Sequence, residues 1–410
     1  MWLNNDGKLL LASRTLRGIA YGFISVILAI YLKQTGFREI EIGIVLSTTL
    51  LSSALFTMIV IFYADRMGRK RSLVILAVLM ALSGLLFAFT TDHALLLIAA
   101  LIGTINVTGT EAGAFLSIEQ AAIPQVTPEE KRTLAFSLYN TAGTLGVALG
   151  ALLSGVPEFL QHSVGTPSID SFKPLFILYF IIAISAAVIY LLLSSRVEVG
   201  SINSSRKTSQ VLSPESKRRV SKLAALFALD SFGGGFVLQS IVAYWFFTRF
   251  QTPLILISAI FFGANVLMAV SFLVAAKLAS RIGLVRTMVF THIPSNILLI
   301  MIPLAPTLPL AIALYLARMS LSQMDVPTRQ SYTMAIVSPG ERTAAGGVTN
   351  ISRNITQAVS PSVAGYLLQF VSFSFPFFLG GGLKITYDLL LYASFKRIMP
   401  PEEARDGKDV

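Results

Sequence analysis

A small set of ionisable side chains stands inside long apolar stretches of this chain: Arg17, Glu111, Asp230, Arg318, Asp325 and Arg353. A charge at the centre of a bilayer costs at least ~2.5–3.5 kcal/mol on insertion scales, so each of these groups is a functional candidate by default. A desolvated carboxyl such as Asp230 or Glu111 is suited to take up and release a proton. The guanidinium forks of Arg17, Arg318 and Arg353 match carboxylates and phosphates. Asp230 precedes the flexible run Gly233-Gly234-Gly235, and Arg17 falls opposite it when Gly22-Phe23 is laid on Gly235-Phe236. Tyr139, Asn140, Gln239 and Tyr244 are candidate substrate contacts in the same stretches. Other charges have simpler readings. Asp325 with Arg329, and Lys384 with Asp388, are four residues apart and can satisfy each other on one helix face. Arg14 is near enough to an end to snorkel, and His292, just before Pro294, reads as packing.

The elements that must hold these residues follow from composition. The chain has 410 residues, 54% hydrophobic and 13% charged, with a mean hydropathy of +0.72. Soluble proteins average about 25% charged, so this chain resides in lipid. A disordered chain and a nucleic-acid binder are excluded by the sparse charge. The lack of Cys excludes disulfides and thiolate metal sites, and the His residues lie in separate segments, so no metal or cofactor is expected. No phosphate-binding Gly-x-x-x-x-Gly-Lys-Ser/Thr loop is present, which argues against an ATP-driven machine, and no nucleophile with its base points to an enzyme.

Apolar stretches long enough to cross a ~30 Å hydrocarbon core recur. Twelve are expected as helices, at about 15–33, 40–63, 72–91, 94–118, 134–155, 173–194, 222–247, 253–277, 287–305, 308–327, 344–369 and 374–395. A barrel would instead alternate in polarity over segments of ~10 residues. The first stretch is too long for a signal peptide and lacks a cleavage site. Lys and Arg concentrate in alternate breaks: Arg66, Arg69, Lys70 and Arg71, then Lys131 and Arg132, then Arg206 to Lys222, then Arg281, Arg286 and Arg342, with Lys396 and Arg397 after the last span. The opposite breaks hold Lys33, Arg38, Lys173 and Arg249. Most of the net charge of +11 is therefore positive-inside bias, which places both termini in the cytoplasm of a multi-pass cell-membrane protein.

The longest polar break divides the chain into an N-terminal six-helix half (1–195), a cytoplasmic linker (196–220) and a C-terminal six-helix half (221–410). The halves repeat. A shift of 210 residues lays Gln120 on Gln330, Arg132-Thr133 on Arg342-Thr343, Asn140 on Asn350 and Glu119 on Arg329. A shift of 215 lays Gly68 on Gly283 and Arg71 on Arg286. Duplication accounts for matches that fall at the same point of each half.

The loop Asp65-Arg66-Met67-Gly68-Arg69-Lys70-Arg71 resembles the signature of the major facilitator superfamily in the loop between its second and third spans. The expected fold is thus all-α integral membrane, with twelve transmembrane helices in two pseudo-symmetric six-helix bundles. The resemblance implies a conformational latch of Asp65, Arg66, Gly68, Arg69 and Glu119, in which Arg69 pairs with Glu119. It also places helices 1, 4, 7 and 10, which carry Arg17, Glu111, Asp230, Arg318 and Asp325, around a central cavity. Gly146-x-x-x-Gly150-Ala151-x-x-Ser154-Gly155 resembles the antiporter motif of the fifth span, with Ala where the motif has Pro, and leans towards export. The same spacing also lets helices approach closely. The expectation is a monomeric secondary transporter of a small organic solute, with protons as coupling ion and the lipid bilayer as its medium. The alternatives are an importer or exchanger of a small anion held by Arg17, Arg318 and Arg353, and a non-transporting membrane sensor.

Overall fold

Long apolar runs interrupted by glycine and capped by small polar residues give an all-helical chain. The computed structural model describes residues 4–109, 113–128, 132–198, 212–338, 341–396 and 398; the side chains of 61, 62, 65, 66, 132–134, 137, 273, 276, 342 and 343 lie outside it. The helices are α1 (Asn5–Gln34), α2 (Glu39–Met67), α3 (Arg69–Phe89), α4 (His93–Ile102), α5 (Ala114–Ala122), α6 (Arg132–Leu153), α7 (Val156–Val164), α8 (Lys173–Leu191), α9 (Pro214–Gly235), α10 (Gln239–Phe250), α11 (Leu254–Ile282), α12 (Leu284–Met301), α13 (Leu308–Ser322), α14 (Asp325–Ala335), α15 (Arg342–Phe370) and α16 (Phe375–Phe395). Each expected span falls on a helix or on a consecutive pair. The fourth, seventh and tenth are the interrupted ones, as α4/α5, α9/α10 and α13/α14.

Local chemistry explains the starts and breaks. Asn4 Oδ1 accepts from Gly7 N at 2.8 Å and starts α1, and Asp92 Oδ1 accepts from Leu95 N at 3.0 Å and starts α4. Ser213 caps α9, whose first residue is Pro214. Gly109 (φ +75°) and Gly113 (φ +118°) take backbone angles closed to other residues, so the fourth span cannot run straight through them. Gly68 and Gly283 repeat one device: each sits at positive φ (94° and 88°) and turns the chain sharply, from α2 into α3 and from α11 into α12.

By contacts the chain divides into two compact units, Met1–Lys207 with Leu238–Asn265, and Thr208–Val237 with Val266–Val410. In the first, α1 packs mainly on α6, and also on α8 and α10, while α3 packs on α8. In the second, α9 packs on α15 and α16, and α12 on α16, α13 and α14. Glycines set the α1–α6 distance. A Cβ on Gly150 would lie 2.0 Å from Ile19 O, and one on Gly22 would lie 2.2 Å from Val147 O, so the two backbones touch. The glycine run of the fifth span is thereby occupied in packing α6 against α1.

Outer faces are apolar. On α8, Ile177, Ile181, Ile184, Val188 and Leu191 form an exposed stripe, while Tyr179, Ile182, Ala183, Ala186 and Tyr190 are buried behind it. A helix apolar all round with one face uncovered is built for hydrocarbon rather than water. Among the described residues, eight helical stretches are long and apolar enough to cross a membrane.

Candidate functional site

Arg17 of α1 is fully buried, and the residue that balances it is Glu119 of α5. The pair is bidentate: Arg17 Nη2 donates to Glu119 Oε2 at 2.6 Å and Nη1 donates to Oε1 at 2.9 Å. Tyr190 of α8 donates to Glu119 Oε1 at 2.8 Å, and Tyr139 of α6 donates to Oε2. Arg17 Nη1 also donates to Ser13 Oγ at 2.7 Å and to the Tyr190 hydroxyl. The guanidinium carbon lies 4.4 Å from the centroid of the Phe115 ring, in cation–π range. Four helices thus converge on one desolvated ion pair whose lone pairs and protons are satisfied, the condition under which such a pair is tolerated.

The second unit holds the same pair with its charges exchanged. Under the repeat, Arg17 corresponds to Asp230 and Glu119 to Arg329. Arg329 Nη1 of α14 donates to Asp230 Oδ2 of α9 at 3.2 Å, and both side chains are buried. The aromatic support is exchanged as well. Arg17 stacks on Phe115, one turn before Glu119, whereas Arg329 lies 5.5 Å from the centroid of Phe227, one turn before Asp230. Each unit therefore ties its first span to the second piece of its broken span with an Arg–carboxylate pair, acid and base having changed places.

Around Asp230 the second unit adds more charge. Lys384 Nζ of α16 donates to Asp230 Oδ1 at 2.6 Å, and Arg329 Nη1 donates to Asp325 Oδ2 at 2.6 Å. His292 of α12 stands 2.8 Å through Nδ1 from Asp388 Oδ1 and 3.9 Å through Nε2 from Asp230 Oδ1. Asn296 Nδ2 donates to Asp388 Oδ2 at 3.1 Å. Arg353 of α15 donates through Nε to Ser231 Oγ at 2.9 Å and adds its charge to the field at Asp230 and Asp325. Among the described residues no cluster of His, Asp and Glu is arranged to hold a metal ion.

Several expectations change. Lys384 and Asp388 do not satisfy each other: Asp230 takes the ammonium and His292 takes Asp388, because α9 and α12 present their groups between them. His292 belongs to the charge cluster rather than to apolar packing. Arg14 does not snorkel. It is buried, 4.9 Å from the centroid of the Tyr139 ring. Tyr139 is bound to Glu119, so it is a member of the ion-pair shell. Gln239 Nε2 donates to Ser25 Oγ at 2.9 Å and Tyr244 donates to Glu39 Oε1 at 2.9 Å, so both are occupied in holding α10 against α1 and α2. Asn140 is exposed. Arg318 of α13 is buried with its Nε lacking a hydrogen-bond partner; its Nη1 reaches Met319 Sδ at 3.4 Å. Glu111 lies outside the described residues.

The latch loop is partly described, since the side chains of Asp65 and Arg66 lie outside it. Gly68 makes the tight turn expected of it. Glu119, expected against Arg69, has both oxygens taken by Arg17, Tyr139 and Tyr190. Arg69 Nη1 donates instead to the carbonyls of Ala121 (3.1 Å) and Val197 (3.4 Å). A residue that sequence reasoning missed caps the turn: Glu198 accepts from Arg69 N at 2.7 Å and from Lys70 N at 3.1 Å, placing a carboxylate at the N-terminus of α3. Tyr190, Lys384 and Asp388 were also missed as partners; each is a polar group in an apolar span, the one signal that marks them.

Broken helices carrying desolvated, mutually neutralising charges inside an apolar helical protein define a multi-pass membrane carrier. A model of the Major Facilitator Superfamily matches residues 10–361, and the chain belongs to that family of transporters, with its fold. A curated relative, the uncharacterized membrane protein YJR124C of Saccharomyces cerevisiae (strain ATCC 204508 / S288c), is 32% identical over 96% of this chain and 94% of its own. Among solved structures, a point variant of the nucleoside transporter NupG is similar at TM-score 0.76 and 15% identity, covering 96% of this chain and 100% of that one. A D-xylose-proton symporter is similar at TM-score 0.74 and 15% identity, covering 98% of each. A small-molecule substrate and residence in a lipid bilayer follow from membership, and transporters of this family are not enzymes.

Proposed function

We propose that this chain is a proton-coupled secondary transporter of a small organic solute, working by alternating access between its six-helix halves, with both termini on the cytoplasmic side. The observation that carries the coupling is the cluster around Asp230. A carboxylate held by both Lys384 (2.6 Å) and Arg329 (3.2 Å) changes partners when it gains a proton, so protonation and helix arrangement are linked at one group. The similarity to a D-xylose-proton symporter accords with this reading. The positive-inside bias of the loops supports the orientation.

The test is transport in proteoliposomes, with the substrate first found by thermal shift across a ligand panel. A pH gradient accelerates transport by the wild-type protein, and Asp230→Asn loses that acceleration. Transport indifferent to the gradient in both proteins would overturn the coupling.

Arg318 favours a second reading, a substrate that carries a carboxylate or phosphate. A guanidinium buried in an apolar span, with Nε unsatisfied and no carboxylate paired to it among the described residues, is a charge in want of an anion. Of the other two guanidiniums expected to serve, Arg17 is consumed by Glu119 and Arg353 donates to Ser231 Oγ. Anionic members of the ligand panel then stabilise the wild-type protein and leave Arg318→Gln unmoved.

A further inference from the structure

The repeat shows which part of the polar cluster the fold does not need. A shift of 215 residues, which lays Gly68 on Gly283, lays Ala77 on His292 and Ala81 on Asn296. A shift of 202, which lays Pro174 on Pro376, lays Ile182 on Lys384 and Ala186 on Asp388. All four equivalents in the first unit are buried apolar residues, and α3 packs on α8 there as α12 packs on α16 in the second unit. One helix–helix contact is therefore built twice, once with alanine and isoleucine and once with a histidine, an amide, an ammonium and a carboxylate. Packing does not require the polar version, and desolvating those groups costs stability.

Their geometry forms a chain. His292 is the middle member, with Asp388 on one side at 2.8 Å and Asp230 on the other at 3.9 Å. Among the described residues, the charged groups packed around the ring are Asp388 and Lys384 from α16, Asp230 from α9, and beyond Asp230 the Arg329 and Asp325 of α14 and the Arg353 of α15. Tyr387 of α16 adds an edge-on ring with its centroid 6.0 Å away. The fixed charges balance, since Asp230, Asp325 and Asp388 face Arg329, Lys384 and Arg353. Imidazole is the member of the set that can carry a proton on either of two nitrogens facing different partners.

We propose that His292 is a proton relay between Asp230 and Asp388, moving the coupling proton from the α9–α14 ion pair into the α12–α16 contact. The proposal rests on the proton-coupled reading above and names the group that carries the proton. The step balances. A protonated Asp230 gives its proton to Nε2 while Nδ1–H passes its proton to the Asp388 carboxylate, so the ring stays neutral and changes tautomer. One proton has moved, and Asp230 is again an anion able to hold Lys384 and Arg329. The distances also impose a gate. Nδ1 is within hydrogen-bond reach of Asp388, but Nε2 must approach Asp230 by about 1 Å, so relay waits on movement of α9 against α12.

The test reads the ring directly. His93→Gln and His162→Gln together leave His292 as the sole histidine, and imidazole 15N shifts are recorded in lipid nanodiscs from about pH 5 to about pH 9. Support is a ring that titrates or exchanges tautomers in this range and whose curve moves in Asp388→Asn. A ring fixed in one neutral tautomer throughout, or a curve that ignores Asp388→Asn, overturns the relay without any transport measurement. In proteoliposomes, His292→Ala, the residue that the first unit uses, is expected to lose at least tenfold in pH-driven transport while retaining its thermal stability. Transport that remains pH-driven and undiminished in His292→Ala overturns the relay alone. A wild-type protein indifferent to the gradient overturns the coupling, and the relay with it.

Discussion

Replacing Glu119 by Gln removes one negative charge from a site with no solvent to compensate it. Arg17 and Glu119 are both 0% exposed, so the guanidinium keeps contacts such as Ser13 Oγ, the Tyr190 hydroxyl and the face of Phe115 but loses the carboxylate that neutralises it. Two charge centres ~4 Å apart interact by ~4 kcal/mol at an effective dielectric of ~20. Stranding one member of a buried pair costs about 3–5 kcal/mol by mutational precedent. The two figures agree, and the amide oxygen of Gln can still accept from one tyrosine, so a loss of about 3–4 kcal/mol is expected for Glu119→Gln. Arg17→Met should cost a similar amount. The double variant removes the stranded charge and should recover much of it, giving a coupling of about 2–3 kcal/mol in a double-mutant cycle. The assay is unfolding of the purified protein in mixed micelles titrated with SDS, followed by tryptophan fluorescence. Single variants within about 1 kcal/mol of wild type, or a double variant as unstable as the sum of the singles, would refute the argument that this pair is a desolvated, mutually dependent unit.

Arg318 should behave in the opposite way. With no carboxylate paired to it among the described residues, Arg318→Met removes a buried charge and is expected to stabilise the protein by about 1–4 kcal/mol in the same assay; destabilisation would show that the arginine has a structural partner. Gly150→Leu forces a side chain into a site where even a Cβ lies 2.0 Å from a backbone oxygen, and should cost about 3 kcal/mol or more. Gly347→Ala, where a Cβ on α15 meets nothing within 4 Å, should gain about 0.4–1 kcal/mol and serves as its control. Glu341 tests a charge outside the spans. The backbone N–H of Ser213 and the hydroxyl of Ser216 hold its carboxyl down at about 2, against 4.5 ordinarily. Because the folded value is the lower one, its contribution is complete above about pH 5 and drains away as pH falls towards 2. The thermal-stability gap between wild type and Glu341→Gln should therefore narrow between pH 5 and pH 2.5, and a gap constant with pH would remove Glu341 from this role.

Elements were legible in the chain because hydropathy and backbone preference are local, but the breaks within the fourth, seventh and tenth spans, each expected as one helix, came from the structure. Gly233-Gly234-Gly235 and the glycines at 109 and 113 mark interruptions that the structure has in the seventh and fourth spans. The turn at Gly68 and its repeat at Gly283 were readable for the same reason. Pairing was legible only by halves. Spacing along one helix found Asp325 with Arg329, which the structure has at 2.6 Å. The same rule offered Lys384 with Asp388 and failed, since a closer acid on α9 and a histidine on α12 reach those groups first.

The sequence by itself determined residence in the membrane, the helical spans, the repeat and, through the loop at 65–71, the family. Each of these rests on patterns a few residues to a few tens of residues long. Tertiary structure alone decided which charge answers which: Arg17 with Glu119, 102 positions away, and Asp230 with Lys384, 154 positions away. Such partners are fixed by the rotational phase of each helix and by how close glycine lets neighbouring backbones come. Those quantities are properties of packed helices, and no single span contains them.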